Sequence, residues 1–222
     1  MTTKKIAVIL SGCGYLDGAE IRESVLTLLA LESEGVSYCI FAPDQQQHHV
    51  VNHVTHLVDT SQDRNILQEA GRIARGQISS LTDLNPTLFD ALILPGGFGV
   101  AKNLSSFAFD GVKAIVDQQI QAILNAFQQD KKPIGAICIA PVLLALTFGD
   151  LHPNITLGVD AQMAQDIEKT GAIHQYCNTN DCVIDTKHLF VTTPAYMNDQ
   201  ASLVDVLQGI EKLVKNVIAL MP

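Results

Sequence analysis

The stretch AICIA, residues 136–140, sets a cysteine between two alanines where an apolar strand pattern gives way to an apolar helical one. Small–x–nucleophile–x–small is the form of a nucleophile elbow. The sharp strand-to-helix turn presses its flanking residues against neighbouring backbone, so only small side chains fit beside the nucleophile. Cys138 also stands at a helix N-terminus, where unpaired N–H groups and the macrodipole are expected to favour a thiolate. A buried cysteine that fills space in an apolar core is the alternative these residues leave open.

Two further stretches carry groups such a thiol would need. LPGGFG, residues 94–99, puts Gly96 and Gly97 at a strand end. An oxyanion hole takes one N–H from the residue after the nucleophile, here Ile139, and one from a neighbouring strand-end loop, for which Gly97 is the best candidate. An ordinary tight turn would use the same glycines. No G-x-x-x-x-G-K-[ST] phosphate cradle is present. DGAEIRES, residues 17–24, spaces Glu20 and Glu23 one helical turn apart. Either could project over the sheet's end toward Cys138, stay partly protonated beside a thiolate and shuttle protons. Acidic residues that merely complement a helix start are the plain alternative.

These residues need elements to position them. KIAVIL, 5–10, is a short apolar run bounded by Ser11-Gly12, as in a strand buried on both faces. A helix is expected over 19–33, closed by Gly35, then a strand over 36–43. Residues 44–62 are a polar excursion, followed by a helix at about 63–75 and a strand within 89–99. A long helix is expected over 108–129, then the strand KPIGAIC and a helix over 139–147. ITLGV, IHQYC, CVIDT and LFVTT are short strand candidates around a helix at 161–170, and a last helix covers 199–219. Such alternation implies an α/β fold, a flavodoxin-like three-layer sandwich of mostly parallel strands with a β-hairpin near its C-terminal end, forming one domain over 1–222. In such sheets ligands bind outside the carboxyl ends of the strands. Loops 11–19, 95–103 and 138–141 meet there, and they are the loops with the unusual chemistry.

Other residues carry weaker signals. HHVVNHVTH holds His48, His49, His53 and His56. His49 and His53 would have metal-binding spacing on a helix, but no Cys, Asp or Glu lies within the cluster, and no metal site is expected. CNTNDC separates Cys177 from Cys182 without a second pair to complete a zinc set, so a turn around 178–181 is expected. Cys13 follows the first strand on the rim of Cys138. It is either a resolving thiol for an oxidised Cys138 or, as the better reading, a loop cysteine without a role.

The composition narrows the function classes. With 47% hydrophobic and 17% charged residues the chain can bury a full core. Its net charge is −9, and no basic cluster exceeds the pairs Lys4-Lys5 and Lys131-Lys132, which disfavours nucleic acid and anionic membrane surfaces. No apolar run approaches the length of a membrane span, and the apolar stretch behind Lys4-Lys5 is too short for a signal-peptide core. Five irregularly spaced cysteines argue against a disulfide framework. A soluble cytoplasmic chain is the expectation.

ILSGCGYLDGAEI, IFAPDQQQ, VNHVT, LILPGGFGVAKNLSSFA, GAICIAP and VTTPAYM occur in order along nearly the whole chain. Together they resemble the ElbB glyoxalase family, in the PfpI-like branch of the class I glutamine amidotransferase-like superfamily. The resemblance implies a nucleophilic Cys138, bonded to Glu23 of the first helix with Glu20 as the earlier carboxylate. It also implies cofactor-free conversion of glyoxal and similar dicarbonyls to the 2-hydroxy acid, and a homodimer, for which the apolar helices offer surface. The mechanism this suggests is addition of Cys138 to an aldehyde carbon. The N–H groups of Gly97 and Ile139 would hold the oxyanion while Glu23 moves a proton between carbons. The sequence departs from the wider superfamily about 20 residues after the elbow, where ITLGVDAQ carries Gly158 and Asp160 instead of a histidine, and His152 and His174 are out of place. That departure disfavours an ammonia-supplying amidotransferase subunit. It leaves a non-enzymatic redox-sensing or binding protein with a reactive thiol as the alternative to the glyoxalase.

Overall fold

The strand β1, Lys5–Ile9, lies inside the sheet, and its four apolar residues are at most 1% exposed. The computed structural model describes residues 4–222. Beside β1 lie β2, Ser37–Ala42, and β6, Ala91–Leu94, both parallel to it. The sheet continues through β7, Ile134–Ile137, and β11, Phe190–Thr193, also parallel, to the antiparallel β10, Val183–Asp185. The short β5, Ser79–Ser80, forms the other edge, giving the order β10-β11-β7-β6-β1-β2-β5. Every residue of β6, β7 and β11 is buried, as strands covered on both faces require.

Helices supply that cover. On one face α1, Ile21–Ser33, packs against α8, Leu203–Leu220. Gly135 lets α8 approach β7, since a methyl group there would lie 2.9 Å from Leu213 and 3.1 Å from Val217. On the other, α5, Gln118–Gln129, packs with α6, Pro141–Phe148, and with β7. The helix α2, Ile66–Ile73, supports β2. Two small ribbons complete the strands: β3–β4, Val51–Asn52 with Leu57–Val58, and β8–β9, Asn154–Ile155 with Ile173–His174. The expected α/β sandwich and its C-terminal hairpin are present.

One long helix expected over 108–129 is interrupted. The segments α3, Phe98–Lys102, and α4, Phe107–Asp110, precede a turn of 3-10 helix, Gly111–Lys113. Gly111 takes φ +54°, and α5 begins only where Asp117 accepts N–H bonds from Gln119 and Ile120. The apolar spacing continues through this break, whereas the backbone follows the glycine and the new cap. The helix α7, Ala161–Glu168, starts in the same way from Asp160.

The β10–β11 turn is held by a buried acid. Asp185 accepts N–H bonds from Lys187, His188 and Asn154 at 3.0, 2.9 and 2.7 Å and pairs with His188 Nδ1 at 2.8 Å. Burial opposes its ionisation, but the His188 and backbone hydrogen bonds outweigh burial and hold the carboxyl below its ordinary value. Asp185→Ala leaves these donors unpaired and is expected to cost about 3 kcal/mol in urea denaturation. A loss under about 1 kcal/mol would show that the turn holds without it.

Candidate active site

Because β1, β6, β7 and β11 run the same way, their carboxyl ends bring four segments to one edge. These are residues 10–20, 95–99, 138–141 and 194–197. Cys138 stands immediately after β7 with φ +61°, a left-handed conformation that costs a non-glycine residue about 1–2 kcal/mol. Its N–H donates to Thr193 O at 2.9 Å, and the turn closes with Ala140 N–H on Ile137 O. Ala136 and Ala140 are both fully buried, which is why the elbow has small neighbours. Pro141 opens α6.

Glu23 points from the first turn of α1 into the same space with no exposed surface. One carboxyl oxygen accepts the Gly96 N–H at 3.0 Å and the other the Tyr196 N–H at 3.2 Å, and Cys138 lies beside the same carboxyl, both lying against Gly96. Burial, with the charge of Glu20 added, pushes the Glu23 acid up to about 8 against these hydrogen bonds. The Cys138 thiol is also raised well above its ordinary value, first by burial and then by Glu23, while the backbone of Gly97 and Ile139 pulls the other way. The helix N-terminus was expected to leave a thiolate. Desolvation and the facing carboxyl outweigh it, so near neutrality the pair holds both its protons.

Gly96 lets the two groups meet. A methyl group there would collide with Cys138 Cβ, lie 2.6 Å from Glu23 Oε2 and 2.8 Å from Ile137 O. Gly97, at φ +102°, packs so close to the backbone of residues 18–20 that any side chain there would collide. Glu20 sits one turn before Glu23, half-buried, and caps α1 by accepting the Glu23 N–H at 2.6 Å. Cys138 as a residue is only 7% exposed.

The buried acid gives a signed pH dependence. Unfolded, Glu23 titrates near 4.5, and folded it keeps its proton up to about 8. Between these values the folded chain binds the extra proton, so stability falls as pH rises, and the loss is complete above about 8. An E23Q variant is expected to lose that decline, measured as melting temperature across the same range. An unchanged slope would place the proton elsewhere.

The remaining candidates lie apart from this group. Residue 158, 20 positions beyond Cys138, is a glycine at φ +95° facing Pro194 and Met197. His174 Nε2 accepts the Leu157 N–H at 3.0 Å, and His152 Nδ1 pairs with Gly171 O at 2.7 Å, so both imidazoles bind backbone around that loop. His49 and His53 are not on a helix. His53 follows β3 and bonds Val51 O, while His48 and His49 lie against Phe109. Cys177 and Cys182 flank a turn closed by Asp181 N–H on Asn178 O. Half-buried Cys13 has Glu69, Arg72, Asp17 and Arg64 as its charged neighbours, none from the Cys138 group. Sequence reasoning missed Thr193 O and Tyr196 N–H, which hold the nucleophile's backbone and the acid. Their signal was the segment TTPAYM following an apolar strand, at the edge where ligands bind.

Residues 4–203 match the family model described as the DJ-1/PfpI family. A rat (Rattus norvegicus) protein, ES1 protein homolog, mitochondrial, is 40% identical over 97% of this chain and 84% of its own length. The human (Homo sapiens) glutamine amidotransferase-like class 1 domain-containing protein 3, mitochondrial, is also 40% identical, over 97% and 83%. Among solved structures, an Ehrlichia chaffeensis isoprenoid biosynthesis protein with amidotransferase-like domain superposes with a TM-score of 0.91 at 36% identity, covering 98% of this chain and 99% of that one. The rat and human relatives carry ES1 and glutamine amidotransferase-like names, not that of the ElbB glyoxalases in particular. The mitochondrial naming of the rat and human proteins also overturns the expectation of a cytoplasmic chain. Charge and the lack of a recognised signal core said nothing about import into an organelle.

Proposed function

Because the chain belongs to the DJ-1/PfpI family, in the class I glutamine amidotransferase-like superfamily, we propose that it is a cofactor-free glyoxalase of the ElbB kind, converting glyoxal and similar small 2-oxoaldehydes to 2-hydroxy acids at Cys138. The observation that carries this reading is the packing of Cys138, on its left-handed elbow, beside the fully buried carboxyl of Glu23 across Gly96.

The thiol adds to the aldehyde carbon. A sulfur–carbon bond forms, the carbonyl π bond opens, and the sulfur's proton passes through Glu23 to the new hydroxyl. The N–H groups of Gly97 and Ile139 stabilise the oxyanion on the way. In the molecules whose Glu23 is ionised, the carboxylate removes the proton from that carbon, giving an enediolate, and returns it to the second carbon, while the hydroxyl proton on the first carbon passes to the oxygen of the second. The first carbon becomes a thioester and the second an alcohol, so oxidation and reduction cancel within the substrate. Water cleaves the thioester, releasing the 2-hydroxy acid and the thiol. A base near pH 8 suits this exchange, since it both takes and returns the proton. The raised thiol works against a thiolate-based redox sensor, which needs a low-pKa cysteine. Purified protein incubated with glyoxal is expected to yield glycolate, read by proton NMR. Unchanged glyoxal would reject the proposal.

A further inference from the structure

Arg22 occupies the second position of α1, between the two glutamates, and is exposed. The first turn of a helix is a poor place for a cation, because the unpaired N–H groups there already carry partial positive charge. The side chain leans out to Tyr196. Nη1 donates to Tyr196 Oη at 3.2 Å, and the guanidinium carbon lies 5.8 Å from the ring centre. A guanidinium has five N–H donors, and this bond uses one. The same Tyr196 gives its backbone N–H to Glu23 Oε1 at 3.2 Å. The exposed cation is therefore tied to Tyr196, the residue that also holds the Glu23 carboxyl beside Cys138. The chain as a whole carries −9 and repels anions, so a local cation beside this site changes what can approach it.

We propose that Arg22, braced by Tyr196, is a specificity-determining residue that selects dicarbonyls bearing an anionic tail, a carboxylate or phosphate several bonds from the reacting carbon. The inference rests on the glyoxalase reading for its chemistry. The aldehyde end reaches Cys138 under the N–H groups of Gly97 and Ile139, and the far oxyanion takes the free guanidinium donors. A planar fork suits both anions, and an exposed charge-assisted pair is worth about tenfold in selection.

The test compares methylglyoxal, which is neutral, with γ,δ-dioxovalerate, a 2-oxoaldehyde ending in a carboxylate. In the wild-type protein at low salt, kcat/KM is expected to be about tenfold higher for the anionic compound. R22Q should bring that ratio close to one, R22K should keep much of it, and added salt should reduce it. If Arg22 only steadied Tyr196 and thereby Glu23, both substrates would fall together and the ratio would stand. That result, or an unchanged ratio in R22Q, overturns the inference. If neither compound is turned over, the glyoxalase reading fails by itself and selection is read from protection of Cys138 against iodoacetamide. Protection by γ,δ-dioxovalerate at about tenfold lower concentration than methylglyoxal, lost in R22Q, sustains the inference. Equal protection, or none, ends it.

Discussion

A C138S protein is expected to lose glycolate formation from glyoxal by at least about 10³-fold while keeping its fold. Serine fits the same elbow, with φ +61° and the N–H bond to Thr193 O unchanged. Its hydroxyl, however, is a far weaker nucleophile than sulfur in a site whose base titrates at about 8. Addition to the aldehyde then has no productive partner, and every later step depends on it. Circular dichroism separates this loss from unfolding. Retained turnover in C138S would remove the thiol from the chemistry and the proposed function with it.

Replacing Gly96 by alanine should be nearly as damaging, by another route. The new methyl group meets Cys138 Cβ, Glu23 Oε2 at 2.6 Å and Ile137 O at 2.8 Å. Two of these belong to the reacting pair, and the third is strand backbone that cannot swing aside. Relief requires moving β6 away from the elbow, for about 3 kcal/mol of stability. Displacing Glu23 from the thiol by a fraction of an ångström to one ångström is worth about 10²-fold in rate. Chemical denaturation and the glycolate assay read the two effects separately. A G96A protein with wild-type stability would mean that the contact between Gly96 and the pair is looser than these distances imply.

Much of this site could be read from residues alone, because its demands are local. AICIA shows its elbow through small side chains, GG marks a backbone N–H near a strand end, and the Glu20–Glu23 spacing follows one helical turn. What could not be read depends on distant packing. The thiol's retained proton comes from desolvation by neighbours far along the chain, which outweighs a helix-terminus effect visible in the sequence. To Glu23, Tyr196 lends only its backbone N–H, which every residue type except proline has. The break near Gly111 was hidden because the apolar rhythm of a helix continues across it. The short edge strand Ser79–Ser80 has no apolar pattern, since it pairs through backbone with Phe41 and Ala42.

Glu23 and the backbone of Tyr196 meet across 173 residues of chain. Thr193, which fixes the elbow's N–H, also lies in this late segment. A ribosome building this protein therefore makes the cysteine well before it makes the strand that shapes it. Until that strand docks, the sulfur belongs to an unfinished sheet with neither its acid partner nor its bent backbone held in place. The chemistry is thus delayed to the last stage of folding, and a nascent or prematurely terminated chain carries an ordinary thiol.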